Sequence, residues 1–175
     1  TNHLMLFDLE VDGHHAGYIR YLLHYASRSS VRWPSKRDHA FHDAPAVVGV
    51  VRISVVVSPE FLRKHLDVVQ MPTGANIEWV AISEAELRWY HASFGSLVRR
   101  ASVEWRLFCR YAKRLAAKQA LIMCVDRFQL PLALQLPAPC DVSGIYFRPT
   151  FHYNHFPSYQ PSRAERIRAL RQSFF

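Results

Sequence analysis

LMLFDLEVDGHHAGYIRYLLHYA, residues 4–26, changes period twice within one short stretch. An apolar run comes first, expected as a strand over residues 3–9, then a polar loop with one glycine and two adjacent histidines, then apolar residues at helical spacing. A continuous apolar run fits a parallel strand buried on both faces. Tyr18, Ile19, Leu22, Leu23 and Ala26 form one stripe of a helix, while Arg20, His24 and Arg28 follow one another on another face. Strand, loop and helix in that order open a doubly wound α/β domain, and the loop leaving such a strand lies at the ligand crevice.

The rest of the chain repeats the unit. Residues 47–57, VVGVVRISVVV, are β-branched and bounded by Pro45 and Pro59, which predicts a second strand. Pro59 after Ser58 predicts a helix start, running to about residue 69. A turn at 72–76 leads to a third strand at 77–82. Ser83 and Glu86 have capping-box spacing. The helical pattern that follows reaches residue 118, too long for one globular helix, so a break is expected near Gly95-Ser96. Leu97, Ala101, Trp105, Phe108, Ala112 and Leu115 trace the expected buried stripe of its second half. Strands are expected at 120–125 and 142–147, with a short helix at 130–136 between them. Residues 27–45 read as an irregular excursion, 148–161 as an aromatic, histidine-rich loop, and 162–174 as a basic helix. The expectation is one Rossmann-like α/β domain over residues 1–175, with a mostly parallel sheet of about five or more strands and helices on both faces.

Composition sets the limits. Of the 175 residues, half are hydrophobic and 13% aromatic, enough for a real core. No apolar run approaches the roughly 20 residues of a membrane span. The N-terminus has no basic, apolar signal-peptide pattern, so a cytoplasmic protein is expected. Three cysteines without CxxC spacing suit a reducing compartment better than a disulfide frame or zinc site. A net charge of +8 and a pI near 9.8 call for an anionic partner, whether nucleic acid, phosphorylated substrate or acidic membrane, or else simply solvate helix faces.

Three constellations can carry chemistry. In the first loop, Gly13 permits a tight turn, the next helix N-terminus suits a phosphate or carboxylate, and His14 and His15 can accept a proton near neutral pH. Asp12 and Gly17 flank them. The loop is neither a GxGxxG fingerprint nor a P-loop, so no dinucleotide site is expected. Asp126-Arg127 follows the fourth strand, where ligands of parallel sheets bind. Arg148, His152 and Tyr153 belong to the aromatic segment after the fifth strand, a surface suited to stacking on a sugar and pairing with phosphate. Each also has a plain structural reading, as turn, local ion pair or hydrophobic cluster. His39/His42 and His152/His155 offer histidines three apart, but no ligand set is complete and no metal is expected. No GxSxG elbow is present.

FDLEVDGHHAGYIRYL (7–22), CVDRFQLPLAL (124–134) and PCDVSGIYFRPTFHY (139–153) together resemble the N-terminal half of bacterial, notably cyanobacterial, glycosyltransferases of GT-B architecture and glycosyltransferase 4 type. Asp12 stands where the first glycine of their GGHH loop is found. The resemblance implies an acceptor-side domain facing a nucleotide-sugar-binding domain across a cleft, with sugar transfer to an unidentified sugar or lipid acceptor and no cofactor. It implies that Gly13, His14 and His15 line the cleft, that His152 lies near the reacting sugar, and that Asp126 shares that edge. No E-x7-E donor-domain pair is expected in this chain, whose end is expected to fall where a second domain would begin, leaving it inactive alone. Peripheral contact with anionic lipid is a further expectation. The alternatives are a basic nucleic-acid-binding protein, disfavoured because arginine is spread over several helices without a known motif, and a non-catalytic interaction domain.

Overall fold

A computed structural model describes residues 3–28, 52–71 and 76–145. Among them, five strands form one sheet: β1 (His3–Phe7), β2 (Arg52–Val57), β3 (Asn76–Ala81), β4 (Gln119–Ile122) and β5 (Asp141–Gly144). The spatial order is β3-β2-β1-β4-β5, and every neighbouring pair is parallel. Leu6 sits opposite Val55 on one side and Leu121 on the other. The chain winds outward from β1 to β3, then returns past β1 to begin β4. That reversal is the order of Rossmann-like sheets, and it leaves a crevice outside the carboxyl ends of β1 and β4.

The sheet is buried on both faces because β1 alternates. Met5 and Phe7 point into one core with Phe108, Leu107 and Trp105, and Leu4 and Leu6 into the other with Ile19, Leu23 and Phe61. The helices that close these cores are α1 (His15–Arg28), α2 (Pro59–Lys64) and α3 (Leu66–Val69) on the second face, and α4 (Glu84–His91), α5 (Leu97–Arg114) and α6 (Gln129–Ala133) on the first. Phe7, Phe108 and Phe128 meet edge to face at 5.6–6.1 Å. Each such fully buried ring contributes roughly 1.5–3 kcal/mol.

Serine starts three of the helices. Ser58 Oγ accepts from Phe61 N (3.1 Å) with Pro59 in the first turn, and Ser96 Oγ accepts from Arg99 N (3.3 Å). Ser83 and Glu86 close a reciprocal capping box. The expected break at Gly95-Ser96 is present, between α4 and α5.

Several boundaries differ from expectation. The first strand ends at Phe7 rather than residue 9, because the Asp8 carboxylate accepts from Glu10 N (3.0 Å) and bends the chain. The helix expected over 59–69 is divided at His65, whose Nε2 meets Val11 O at 2.8 Å. β4 runs from Gln119 to Ile122 rather than to residue 125, and Val125–Arg127 forms a 3-10 turn after it. Leu97, expected in the buried stripe of α5, is exposed, while Ala101, Trp105, Phe108 and Ala112 are buried as expected. Residues 29–51, 72–75 and 146–175 lie outside the described residues, and with them the 47–51 part of the second strand, the end of the fifth strand and the basic C-terminal helix.

Candidate functional site

The crevice begins where β1 ends. Asp8 is only 4% exposed. Its Oδ1 takes the Glu10 N–H and its Oδ2 takes His15 Nδ1 at 2.6 Å. The loop between them turns at Gly13, whose φ of +80° is a left-handed conformation that suits glycine. α1 then starts at His15, with the His14 carbonyl accepting from Tyr18 N (3.0 Å). The hydrogen bond to Asp8 holds His15 charged above the usual histidine range, against the opposing effect of burial. With Nδ1–H donating to Asp8, Nε2 carries the lone pair in the neutral ring.

Beside this pair lies a second, larger set of charges. Arg100 Nη2 donates to Glu10 Oε1 (2.6 Å) and to Tyr90 Oη (2.8 Å), and Tyr90 Oη donates to Glu10 Oε1 (2.9 Å). Arg127 pairs with Glu10 and reaches Glu104 Oε1 at 3.4 Å, and Arg100 Nε reaches the same oxygen at 3.3 Å. Burial works against charge on Glu10, but Arg127, Tyr90 and Arg100 outweigh it and hold the carboxyl below its ordinary value. At Glu104 burial wins, and its pKa is raised despite both arginines. Glu104 is 2% exposed, and its Oε2 has no hydrogen-bond partner among the described residues. Phe7, Asp8, Leu9, Glu104, Ile122, Cys124, Arg127 and Phe128 line a small recess of about 10 Å³ between β1 and β4. A space of that size is on the scale of one water molecule.

His15 is therefore half-buried against Asp8, while His14 and Gly13 are exposed on the loop. Asp12 is exposed and pairs with Lys64 of α2. Gly17 lies in the first turn of α1, where an added Cβ would meet nothing within 4 Å, so no close approach explains a glycine there. Arg127 lies in the charged set. Asp126 sits in the 3-10 turn, its Oδ2 3.9 Å from the Cys124 thiol that donates to it. Burial pushes the Cys124 thiol up to about 11, which disfavours a nucleophilic thiolate. Arg148, His152 and Tyr153 lie outside the described residues.

Sequence reasoning missed Asp8, Tyr90, Arg100 and Glu104, and it placed Glu10 in the first loop without a role. Asp8 carried one signal, a lone carboxylate ending an apolar run. Glu104 carried another, as the single acid in α5 and on its apolar side. One expectation needs correction: Glu78 and Glu86 do stand at E-x7-E spacing. The pair does not form one site, because Glu78 is on β3 with Arg52 (2.6 Å), while Glu86 closes the capping box. Among the described residues, no cluster of three or more His, Cys, Asp or Glu could hold a metal ion, and no helix is long and apolar enough to cross a membrane.

Fold and crevice together define a Rossmann-like α/β domain with a buried, charge-rich switch point. Comparison of the chain with protein-family models, curated proteins and solved structures returned no match.

Proposed function

We propose that this chain is the acceptor-side domain of a GT-B glycosyltransferase, and that its switch-point crevice seats the acceptor hydroxyl. The observation that carries the proposal is the Asp8–His15 pair, a histidine fixed at the carboxyl end of the central strand beside a helix N-terminus. The motif resemblance over residues 7–22 and 124–134 supports it, since both segments fall at this crevice.

In the proposed reaction, His15 Nε2 takes the proton of the acceptor hydroxyl as that oxygen attacks the anomeric carbon. The bond from the anomeric carbon to the donor phosphate breaks, and its electron pair leaves on the nucleoside diphosphate. Asp8 holds the ring and stabilises the imidazolium that forms. The N-terminal end of α1, where the helix dipole is positive, favours the negative charge leaving nearby. In a retaining reaction His15 would orient the hydroxyl while the departing phosphate takes the proton. The nucleotide-sugar itself would bind mainly to a second domain.

The test is nucleoside diphosphate release from UDP- and GDP-sugars by the natural gene product that contains this sequence, wild type against His15→Ala. A loss on the order of 10²–10⁴ in rate is expected for the variant. Activity that ignores the substitution counts against the proposed role.

A further inference from the structure

We propose that the recess between the ends of β1 and β4 holds one buried water joining Glu104 to Asp8, and that through this water Glu104 positions the Asp8–His15 pair.

Two carboxylates from separate parts of the fold line the recess, Asp8 after β1 and Glu104 from α5. Both are buried, so bulk solvent satisfies neither. At about 10 Å³ the space is the size of one water, and a water stays in such a space when two to four polar groups face it. Asp8, Glu104 and the Arg127 guanidinium supply three.

The hydrogen bonds already made define what the water does. Glu104 Oε1 faces both arginines, Arg100 Nε at 3.3 Å and Arg127 Nη1 at 3.4 Å. Its Oε2 has no partner among the described residues, and leaving a buried acceptor unmatched is costly. Asp8 accepts once at each oxygen, from Glu10 N and from His15 Nδ1, and a carboxylate has room for about four donors. A water therefore gives one hydrogen to Oε2 and the other to Asp8, and accepts from Arg127. A bare cation fits less well, because Arg127 shares the space. The bridge also survives titration. Burial raises the pKa of Glu104, and a proton on that group goes to Oε2, the oxygen not engaged by the arginines. Oε2 then donates to the water, which still donates to Asp8.

The water thus holds the Asp8 carboxylate with a third hydrogen bond. That carboxylate in turn orients the His15 ring, 2.6 Å away, as a supporting shell orients a functional side chain. Glu104 acts through Asp8 and is a positioning residue. The use of His15 in sugar transfer rests on the glycosyltransferase proposal; the water site does not.

Crystal structures of the natural gene product that contains this sequence test the site, as wild type, Glu104→Gln and Glu104→Leu. Solvent exchange of the His15 Nδ1 proton, followed by NMR in the same three proteins, tests the positioning. Glutamine keeps an oxygen that accepts from the water, and leucine offers none. The wild type should show one water within hydrogen-bond distance of Glu104 and Asp8. Glu104→Gln should keep both the water and the protection of the His15 proton. Glu104→Leu should lose the water, and its His15 proton should exchange on the order of tenfold faster. Thermal melts report whether each variant keeps the fold; if the leucine variant does not, the wild type and the glutamine variant decide. No water at this place in the wild type, a cation there instead, or a His15 proton as protected in Glu104→Leu as in the wild type overturns the proposal. So does a glutamine variant that loses the protection as fully as the leucine variant, which would make the charge and not the water the link. Nucleoside diphosphate release is read separately: the water in place without turnover of any sugar nucleotide leaves this site standing and removes the transfer reading.

Discussion

Asp8 Oδ2 and His15 Nδ1 stand 2.6 Å apart across a loop that turns at Gly13, tying the end of the central strand to the first turn of the helix that follows it. A buried carboxylate at that place is costly unless satisfied. Both of its oxygens are, one by His15 and one by the Glu10 amide.

The pair makes stability depend on pH. His15 has its pKa raised above 6.5 in the folded state, so the charged pair contributes fully below 6.5 and is lost as pH rises through the folded value. Melts of wild type and Asp8→Asn across that range should differ most on the acid side and converge on the alkaline side. A constant difference would mean that His15 does not titrate against Asp8.

Arg127 is the shared counter-charge of Glu10 and Glu104. Arg127→Met should cost about 3 kcal/mol in urea unfolding, because it removes one of the two arginines that face buried Glu104 and half-buried Glu10. Adding Glu104→Leu should recover much of that loss, since the uncompensated charge goes with it.

Gly144 is set by contact. A Cβ there would stand 2.5 Å from Val125 Cγ2 and 2.8 Å from Val125 Cβ. Gly144→Ala should destabilise by about 1–3 kcal/mol, and Val125→Ala in the same chain should restore part of it. Equal stability of single and double variants would place the strain elsewhere.

Ser83→Ala should cost about 1 kcal/mol by opening the capping box of α4. Burial opposes charge on Glu86, but the Ser83 backbone N–H, Tyr111 and Arg110 hold its carboxyl down at about 2. This contribution is therefore present above 4.5 and lost as pH falls towards 2. The gap between wild type and Glu86→Gln should close over that interval in acid melts.

The sheet was legible because its strands announce themselves locally. The β-branched run before Pro59, the Ser83 capping box and the Gly95-Ser96 break each carry their own signal. The loop of the site was legible for the same reason, since Gly13 and the two histidines sit between strand and helix. What supports that loop was not. Glu10, Tyr90, Arg100, Glu104 and Arg127 meet across up to 117 residues of chain, and no local period records a meeting of that kind. Leu97 misled for a related reason. Helical period put it on the buried stripe, but as the first residue of α5 it lies beyond the core it would have joined.

Acceptor-dependent release of nucleoside diphosphate, measured for the natural gene product containing this sequence, tests the central claim most directly. Turnover of a UDP- or GDP-sugar that falls on the order of 10²–10⁴ in His15→Ala, with the fold retained, is the predicted result. No turnover of any such sugar nucleotide, or turnover indifferent to His15, would contradict it.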